Sequence, residues 1–295
     1  MAHINEIKQR MKSIKETRQI TKAMKLISAA KLKKARRQLE HTLPFFEKVK
    51  ATMVDILMHS GGIKNKFFDV RDEKTGRKIA YIVLTGDKGL AGGYNHNIIK
   101  FMEERLRDDR EALLLVAGSV GKNHFLKTKY NVSLEFDYPV QNPTIYRSRE
   151  ITDIILDMFS AGIFDEMYIV FTNMYSTINV KPRIMKLLPL ELHTLTEDLN
   201  LADDLENKVD DILSYEPNIE LVLNVLVKKY VKGIIYGAFV EAFTSEQSSR
   251  MTAMDNATSN AEEMLGKLNL YYNRARQSKI TQEISEIVGG AEALK

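Results

Sequence analysis

The chain contains no cysteine among its 295 residues. This absence excludes disulfides, thiolate catalysis and zinc sites built from cysteine. No run of 18 or more uncharged apolar residues occurs either, so no segment is predicted to span a membrane. The N-terminal stretch MAHINEIKQRMKSIK is charged and lacks the apolar core and cleavage site of a targeting peptide. We therefore expect a protein of the cytoplasm or of the cytoplasmic face of a membrane.

Proline is missing from the C-terminal part of the chain after Pro217, and apolar residues recur there at helical spacing almost to Lys295. A single helix of about 70 residues would be on the order of 105 Å long, at about 1.5 Å per residue. That length exceeds the diameter of any domain that these residues could enclose, so the helix requires a partner. The first 58 residues contain one proline, Pro44, and predict a second long helix of roughly 85 Å.

The predicted N-terminal helix carries apolar residues spaced alternately three and four positions apart, which is the pattern of a coiled-coil seam. These residues are Ile4, Ile7, Met11, Ile14, Leu32, Ala35, Leu39, Phe46, Val49, Met53 and Ile56. In the middle of the helix the same frame lands on Arg18, Thr21, Lys25 and Ser28. Because Ile20, Met24 and Ile27 lie one position away, we expect the seam to be rotated there and its buried face to be partly polar. The basic residues suggest a second contact surface.

The predicted C-terminal helix has a seam of its own. It runs through Met254, Ala257, Ala261, Met264, Leu268, Tyr271 and Ala275, and after a slip through Ile280, Ile284, Ile287 and Ala291. Gly233 and Gly237 lie in the helix interior, where each glycine costs about 1 kcal/mol relative to alanine, so close approach of another backbone is expected to offset the cost. We expect the two long helices to pair antiparallel, with the C-terminal helix overhanging.

The segment between the helices predicts a small Rossmann-like α/β domain. Short apolar runs typical of strands occur at residues 78–87, 112–118 and 167–175. Amphipathic stretches typical of helices occur near residues 97–107, 121–130 and 148–161. This alternation argues for a partly parallel sheet with helices on its faces.

Residues 180–191 could add a strand at the edge of that sheet, where Pro182 and Pro189 would be tolerated. Polar connectors are expected on either side of the domain, at residues 60–77 and 196–216. The chain is thus divided into an N-terminal helix, an α/β domain and a C-terminal helix, at residues 1–58, 76–212 and 217–295.

Basic residues are concentrated near the N-terminus. Residues 1–50 contain ten Lys and four Arg against four Glu, a local net charge of +10 in a chain of net charge +4. A basic arm of this kind faces nucleic acid, anionic lipid or an acidic protein surface, or is a solvated helix face. A basic coiled coil that binds nucleic acid is therefore one candidate function, and it predicts salt-dependent binding of duplex DNA.

A nucleotide-binding enzyme is another candidate, because the glycine-rich segment TGDKGLAGGYN (85–95) follows a predicted strand and precedes a predicted helix. The segment matches neither phosphate-binding fingerprint, however, and GSVGK (118–122) lacks the earlier glycine of a P-loop. We therefore interpret the glycines as holding a strand-to-helix turn. The six histidines show no metal-ligand spacing, so no metal, cofactor or catalytic residue is predicted.

Four separated segments resemble, in the same order, segments of the gamma subunit of F-type ATP synthases. They are ITKAMKLISAAKLKKA (20–35), TGDKGLAGGYN (85–95), SEQSSRMTAMDNAT (245–258) and ITQEISEIVGGAEA (280–293). The last resembles the C-terminal signature of that family, Ile-Thr-x-Glu with an acid three residues on and then Gly-Ala. The resemblance implies a non-catalytic rotor shaft whose antiparallel coiled coil enters a ring of three alpha and three beta subunits, with the α/β domain at the foot.

The resemblance also implies partners, a location and contact residues. The partners are the alpha, beta and epsilon subunits and the membrane c ring, with no nucleic acid and no small-molecule ligand. The location is the cytoplasmic side of a bacterial plasma membrane, since the chain is expected to lack both the regulatory dithiol of plant chloroplast relatives and a transit peptide. The residues implied to engage the beta subunits are Met24, Lys25, Arg250, Arg276, Gln277, Thr281 and Glu283.

Overall fold

The computed structural model of the protein describes residues 2–59, 65–68, 77–176, 179–191, 195, 216 and 218–293. Its helices are α1 (Ala2–His59), α2 (Tyr94–Arg105), α3 (Ser119–Phe125), α4 (Ile145–Ser160) and α5 (Ile219–Ala293). Its strands are β1 (Ile79–Leu84), β2 (Leu113–Ala117), β3 (Asn131–Val132), β4 (Glu166–Met174) and β5 (Val180–Leu188). Across these ranges, no helix combines the length and the apolar character needed to cross a membrane.

The five described strands form one sheet in the order β3-β2-β1-β4-β5. Strands β1 to β4 are parallel to one another, and β5 pairs antiparallel with β4 at the edge. Strand β1 is buried from Ala80 to Leu84, as expected for a central strand that is covered on both faces. Pro182 lies on β5, where its missing N–H leaves the interior of the sheet intact. The predicted partly parallel sheet with an added edge strand is confirmed.

Helices cover both faces of this sheet. Tyr81 and Val83 of β1 belong to one apolar cluster, with residues of α2 and α3. Ile82 and Leu84, which alternate with them, belong to a second cluster with residues of α1, α4 and α5. Alternate residues of β1 thus pack into two apolar cores, one on each face of the sheet. This is the doubly wound arrangement of a Rossmann-like fold. The predicted fold class, an α/β sheet together with two long antiparallel helices, is confirmed.

The connector predicted at residues 60–77 is not purely polar. Phe67 is 5% exposed, and its ring stacks on that of Phe159 in α4, with centroids 6.2 Å apart. The Asn65 side chain donates to Asn224 Oδ1 over 2.9 Å. Two adjacent aromatic residues, Phe67 and Phe68, in a polar context carry no periodic signal, so the sequence pattern missed this packing. Most of both predicted connectors lies outside the described residues.

The chain divides into two compact units, Met1–Ala29 with Arg250–Lys295, and Ala30–Ser249. Helices α1 and α5 each contribute to both units. In the larger unit α1 continues through Pro44, which costs a helix about 3 kcal/mol. The following turns bury Met53 and Ile56 completely, and this packing offsets the cost. The three-domain division of the sequence stays a prediction.

Candidate functional site

The seven residues implied to engage a partner all lie in the smaller unit. They form two groups along the helices. The first group is Met24, Lys25 and Arg250, and the second is Arg276, Gln277, Thr281 and Glu283. The two groups differ in accessibility, so they are described separately.

The first group is only partly accessible. Met24 is half-buried, and Arg250 is 7% exposed. The Lys25 ammonium donates to the carboxylate of Asp255 on α5, over 2.5 Å from Nζ to Oδ1. The charge of Lys25 is therefore already paired within the chain.

Polar side chains also form the neighbouring contacts between α1 and α5. The hydroxyl oxygens of Thr21 and Thr258 are 2.7 Å apart, and Arg18 pairs with Glu262 at 3.6 Å. In these contacts and in the Lys25 pair, the two residue numbers add up to 279 or 280. This constant value defines an antiparallel register for the two helices.

The buried face of α1 is partly polar here, as expected, but the predicted rotation of the seam is wrong. Thr21 and Ser28 are 7% and 1% exposed, so the heptad frame continues through them. Ile20 and Ile27 are 60% and 55% exposed, and Leu26 is 64% exposed. Small hydroxyl side chains allow the helices to lie close and to hydrogen-bond across the seam, which a rotated seam of isoleucines would prevent. This segment of α1 therefore has polar residues inside and apolar residues outside.

The seam of α5 differs from the predicted one at two places, each time by one residue. Leu265 is 6% exposed and Tyr272 is half-buried, whereas Met264 and Tyr271 are 46% and 57% exposed. Both choices satisfy the three-four spacing that begins at Ala261, so spacing alone does not distinguish them. The partner helix decides which residue is covered.

The second group lies on exposed helix. The Thr281 hydroxyl donates to the backbone carbonyl of Gln277 over 3.0 Å, and Glu283 pairs with Lys279 at 3.3 Å. Arg276 and Gln277 are themselves exposed. The polar contacts of this group stay within α5, which leaves the Arg276 guanidinium and the Gln277 amide accessible to another protein.

Helix α5 continues past the start of α1. The register places Ala2 opposite position 278, and every described side chain from 281 to 291 is exposed. Ile284, Ile287 and Val288 are 56%, 72% and 54% exposed. A lone helix is only marginally stable without a packed face, so these apolar residues favour contact with another chain.

Replacing Asp255 with asparagine is expected to lower the free energy of unfolding by less than about 1 kcal/mol. The reason is that Lys25 and Asp255 are 39% and 54% exposed, so water and salt screen their attraction. Urea unfolding at low and high salt measures the effect, with Glu263→Gln, which removes an exposed pair within α5, as the matched control. A loss much larger than that of the control, and insensitive to salt, would contradict the prediction.

The glycine-rich loop between β1 and α2 lies in the larger unit and binds its own chain. The Gly86 N–H donates to Asn95 Oδ1 over 2.7 Å, and the Asp87 carboxylate accepts from the N–H of Gln141 over 2.8 Å. Gly92 adopts a φ of 57°, which a residue with a side chain rarely adopts. These groups fasten a strand-to-helix turn, in agreement with the interpretation of the glycines. Within the described ranges, no cluster of three or more His, Asp or Glu could hold a metal ion.

Comparisons with known proteins identify the family. The family model described as ATP synthase matches residues 3–294. The chain is 68% identical to the ATP synthase gamma chain of Acetivibrio thermocellus over 295 residues, covering all of both chains. It is 63% identical to that of Ruminiclostridium cellulolyticum over 294 residues, covering 99% of each. A relative from Acetobacterium woodii, named a sodium ion specific ATP synthase gamma chain, is 42% identical over 301 residues, covering 99% of each.

Solved structures show the same fold. A chain of the OSCP/F1/c-ring structure of Euglena gracilis mitochondrial ATP synthase superposes with a TM-score of 0.65 at 18% identity, covering 99% of this chain and 95% of that one. A chain of the central stalk and c ring of Tetrahymena thermophila mitochondrial ATP synthase gives 0.59 at 23% identity, covering 81% and 99%. These two likenesses concern the fold, whereas the full-length matches to bacterial relatives concern the family. The chain therefore belongs to the ATP synthase gamma chain family, the central-stalk subunits of F-type ATP synthases.

Proposed function

We propose that the chain is a non-catalytic rotor shaft. It couples ion-driven rotation of a membrane c ring to the conformational cycle of catalytic beta subunits, and during ATP hydrolysis the coupling runs in reverse. Full-length identity to gamma chains supports this role. A shaft that does no bond chemistry also accounts for polar loop groups that bind their own chain, such as the Gly86 amide.

The observation that carries the proposal is the outward apolar face of α1. Ile20, Ala23 and Ile27 are spaced three and four apart, and all three are exposed. They form a second seam on the side of α1 that α5 does not cover. Full burial of one isoleucine side chain gains about 1.5–3 kcal/mol, so a surrounding protein would stabilise this segment. A ring of alpha and beta subunits fits that requirement.

The proposed partners are three alpha subunits, three beta subunits, the epsilon subunit and the c ring, and nucleic acid is not among them. The proposed location is the cytoplasmic side of a bacterial plasma membrane, with the protein peripheral to the bilayer. The three relatives described above support a bacterial setting, and the two solved structures are of ATP synthases.

The two groups of proposed contact residues contribute differently to contact with the beta subunits. Arg276 and Gln277, with Thr281 and Glu283 beyond them, reach a loop of a beta subunit, and their exposure supports this role. The other three contact residues face acidic segments of the beta subunits. They are Met24, Lys25 and Arg250. Because Asp255 already neutralises Lys25, that residue contributes less to the attraction than its formal charge suggests.

The proposed function is tested by reconstituting this chain with alpha and beta subunits. The measurements are ATPase activity and rotation of a tag attached to the α/β sheet domain. We expect activity and rotation to appear together. Static assembly that hydrolyses ATP without rotating the tag would overturn the mechanical role, and salt-sensitive binding of duplex DNA by the free chain would favour the nucleic-acid alternative.

Replacing Arg276 and Gln277 together with alanine is expected to lower coupled ATP synthesis about two- to thirtyfold, since exposed polar contacts contribute up to about 1 kcal/mol each. Thermal unfolding of the free chain should stay unchanged, because both side chains are exposed. Glu263 and Lys267, an exposed pair elsewhere on α5, provide the matched double-alanine control. Synthesis rates equal to those of the control variant would remove these residues from the contact.

A further inference from the structure

Helix α5 fills the place where a sheet of this kind binds ligands. The strand order reverses between β1 and β4, and ligands of doubly wound folds bind in the crevice beyond the carboxyl ends of such strands. Thr85 follows β1 and Thr172 lies near the end of β4, and both are buried. Ser245 and Glu246 of α5 are fully buried. A Cβ at Gly86 would lie 2.9 Å from Asn95 Oδ1 and 3.3 Å from the carboxyl carbon of Glu246, so this glycine makes room for the Asn95 side chain and for α5.

Two hydrogen bonds fasten α5 to strand β4. The Ser245 hydroxyl donates to the backbone carbonyl of Thr172 over 2.8 Å. The backbone N–H of Met174, the last residue of β4, donates to Glu241 Oε1 over 2.9 Å. Both bonds come from side chains of α5 that lie four residues apart, so they lie on one face of the helix.

A third hydrogen bond fastens α5 to helix α2. The Tyr94 hydroxyl donates to the backbone carbonyl of Ala242 over 3.0 Å. Tyr94 is 2% exposed and Ala242 is fully buried, so water does not compete for the bond. A helix carbonyl accepts from the N–H four residues on and keeps a second lone pair, which Tyr94 uses. We call Tyr94, Glu241 and Ser245 the polar clamp.

The polar clamp and the apolar core hold α5 in different ways. Burial of apolar surface opposes separation of α5 from the sheet, but it is non-directional and tolerates small rotations. Hydrogen bonds weaken steeply when their angles change, so they oppose rotation and sliding. The three bonds also come from different directions, two from strand β4 and one from helix α2. The clamp is therefore suited to fix the angle of α5 about its own axis.

We propose that Tyr94, Glu241 and Ser245 are positioning residues that fix the rotational setting of α5 on the sheet, so that torque passes between them without slip. The inference rests on the proposed rotor function and adds the residues that hold helix α5 to the sheet. Nothing in the clamp needs to touch an alpha or a beta subunit. Loss of the polar clamp should lower ATP-driven ion uptake against a gradient more than it lowers ATP hydrolysis without a gradient.

The test uses the complete synthase, reconstituted into lipid vesicles with variants of this chain. ATP hydrolysis is measured without an ion gradient, and ATP-driven ion uptake is measured at steady state. Each substitution removes one hydrogen bond between α5 and the elements packed against it, so Tyr94→Phe with Ser245→Ala is expected to lower uptake per ATP by about threefold or more. Hydrolysis without a gradient should be nearly unchanged. Tyr175→Phe, which removes an exposed hydroxyl just after β4, is the matched control.

Two variants at Glu241 distinguish a role in setting the rotation of α5 from a role in stabilising the fold alone. Glu241→Gln keeps an oxygen that accepts from the Met174 amide, so coupling should stay near that of the unaltered chain. Glu241→Met keeps the length of the side chain but removes the acceptor, so coupling should fall. Equal coupling in these two variants, or full coupling in Tyr94→Phe with Ser245→Ala, would overturn the clamp. Absence of ion uptake in the unaltered complex would instead overturn the proposed function.

Discussion

Replacing Gly118 with alanine is expected to lower the free energy of unfolding by about 3–5 kcal/mol. Gly118 adopts a φ of 90°, a conformation that side chains rarely adopt, between strand β2 and helix α3. A Cβ there would lie 2.1 Å from the backbone carbonyl oxygen of Thr85 and 2.8 Å from its hydroxyl oxygen. The obstacle is backbone at the end of the central strand, which cannot move without distorting the sheet. Urea unfolding followed by circular dichroism measures the loss.

Gly89→Ala is the matched control for this prediction. Gly89 lies in the glycine-rich loop, and a Cβ there would meet nothing within 4 Å. Its φ lies outside the positive region, so alanine is tolerated, and a change within about 0.5 kcal/mol is expected. Similar losses for the two substitutions would mean that the turn at Gly118 relaxes and that the close approach to Thr85 does not constrain the fold.

The same turn gives the glycines of GSVGK (118–122) a structural reason other than phosphate binding. The Thr85 hydroxyl donates to the carbonyl of Ala117 over 3.0 Å and accepts from the N–H of Gly121 over 3.0 Å. A Cβ at Gly121 would also lie 2.4 Å from the Thr85 side chain. The glycines therefore allow strand β1 and helix α3 to approach each other. Close packing of the chain on itself requires the same small residues as close approach to a phosphate.

Most elements of the fold were predictable because they depend on local periodicity. The strand predicted at 112–118 is observed at Leu113–Ala117, and the edge strand predicted at 180–191 is observed at Val180–Leu188. Strands and helices impose different repeats on apolar residues, so the element type follows from spacing. The edge position of β5 followed from Pro182, which lacks a backbone donor.

Contacts between distant segments were predicted less well, because several arrangements satisfy the same spacing. Met264 and Leu265 are equally apolar, and only the register with α1 shows that Leu265 is covered. The polar seam at Thr21 and Ser28 was missed as a continuous frame because isoleucines next to it offered a more apolar alternative. In both cases the deciding fact is the position of the other helix, which lies more than 200 residues away along the chain.

Sequence patterns did not predict the polar clamp either. Ser245 and Glu246 lie in the segment TSEQSS, whose composition is typical of an exposed helix face, yet both are fully buried. Such residues are buried only where they find hydrogen-bond partners. For Ser245 the partner is the backbone carbonyl of Thr172 in β4. The proposed contact residues Arg276 and Gln277 came from a family resemblance, because an exposed Arg-Gln pair has no distinctive spacing.

Alanine at Gly233 and alanine at Gly237 are expected to change stability in opposite directions. Both glycines lie in α5, where alanine is favoured over glycine by about 1 kcal/mol. A Cβ at Gly237 would meet nothing within 4 Å, so Gly237→Ala should raise the free energy of unfolding by up to about 1 kcal/mol. A Cβ at Gly233 would lie 2.5 Å and 2.7 Å from two ring carbons of Phe46 in α1. Overpacking costs about 1–3 kcal/mol, which outweighs the helix gain of about 1 kcal/mol, so Gly233→Ala should lower the free energy of unfolding by up to about 2 kcal/mol.

A double-mutant cycle identifies the ring of Phe46 as the cause. Gly233→Ala should become stabilising when Phe46 is replaced with alanine, because the colliding ring is then absent, whereas the gain from Gly237→Ala should be the same in both backgrounds. If Gly233→Ala destabilises the chain to the same extent without the ring, the collision with Phe46 is not the reason for glycine at this position. The expected outcome refines the prediction that helical glycines allow close approach of another backbone. A Cβ at Gly233 would meet an aromatic side chain of α1, whereas a Cβ at Gly237 would meet nothing within 4 Å, so packing against α1 accounts for glycine at position 233 and not at position 237.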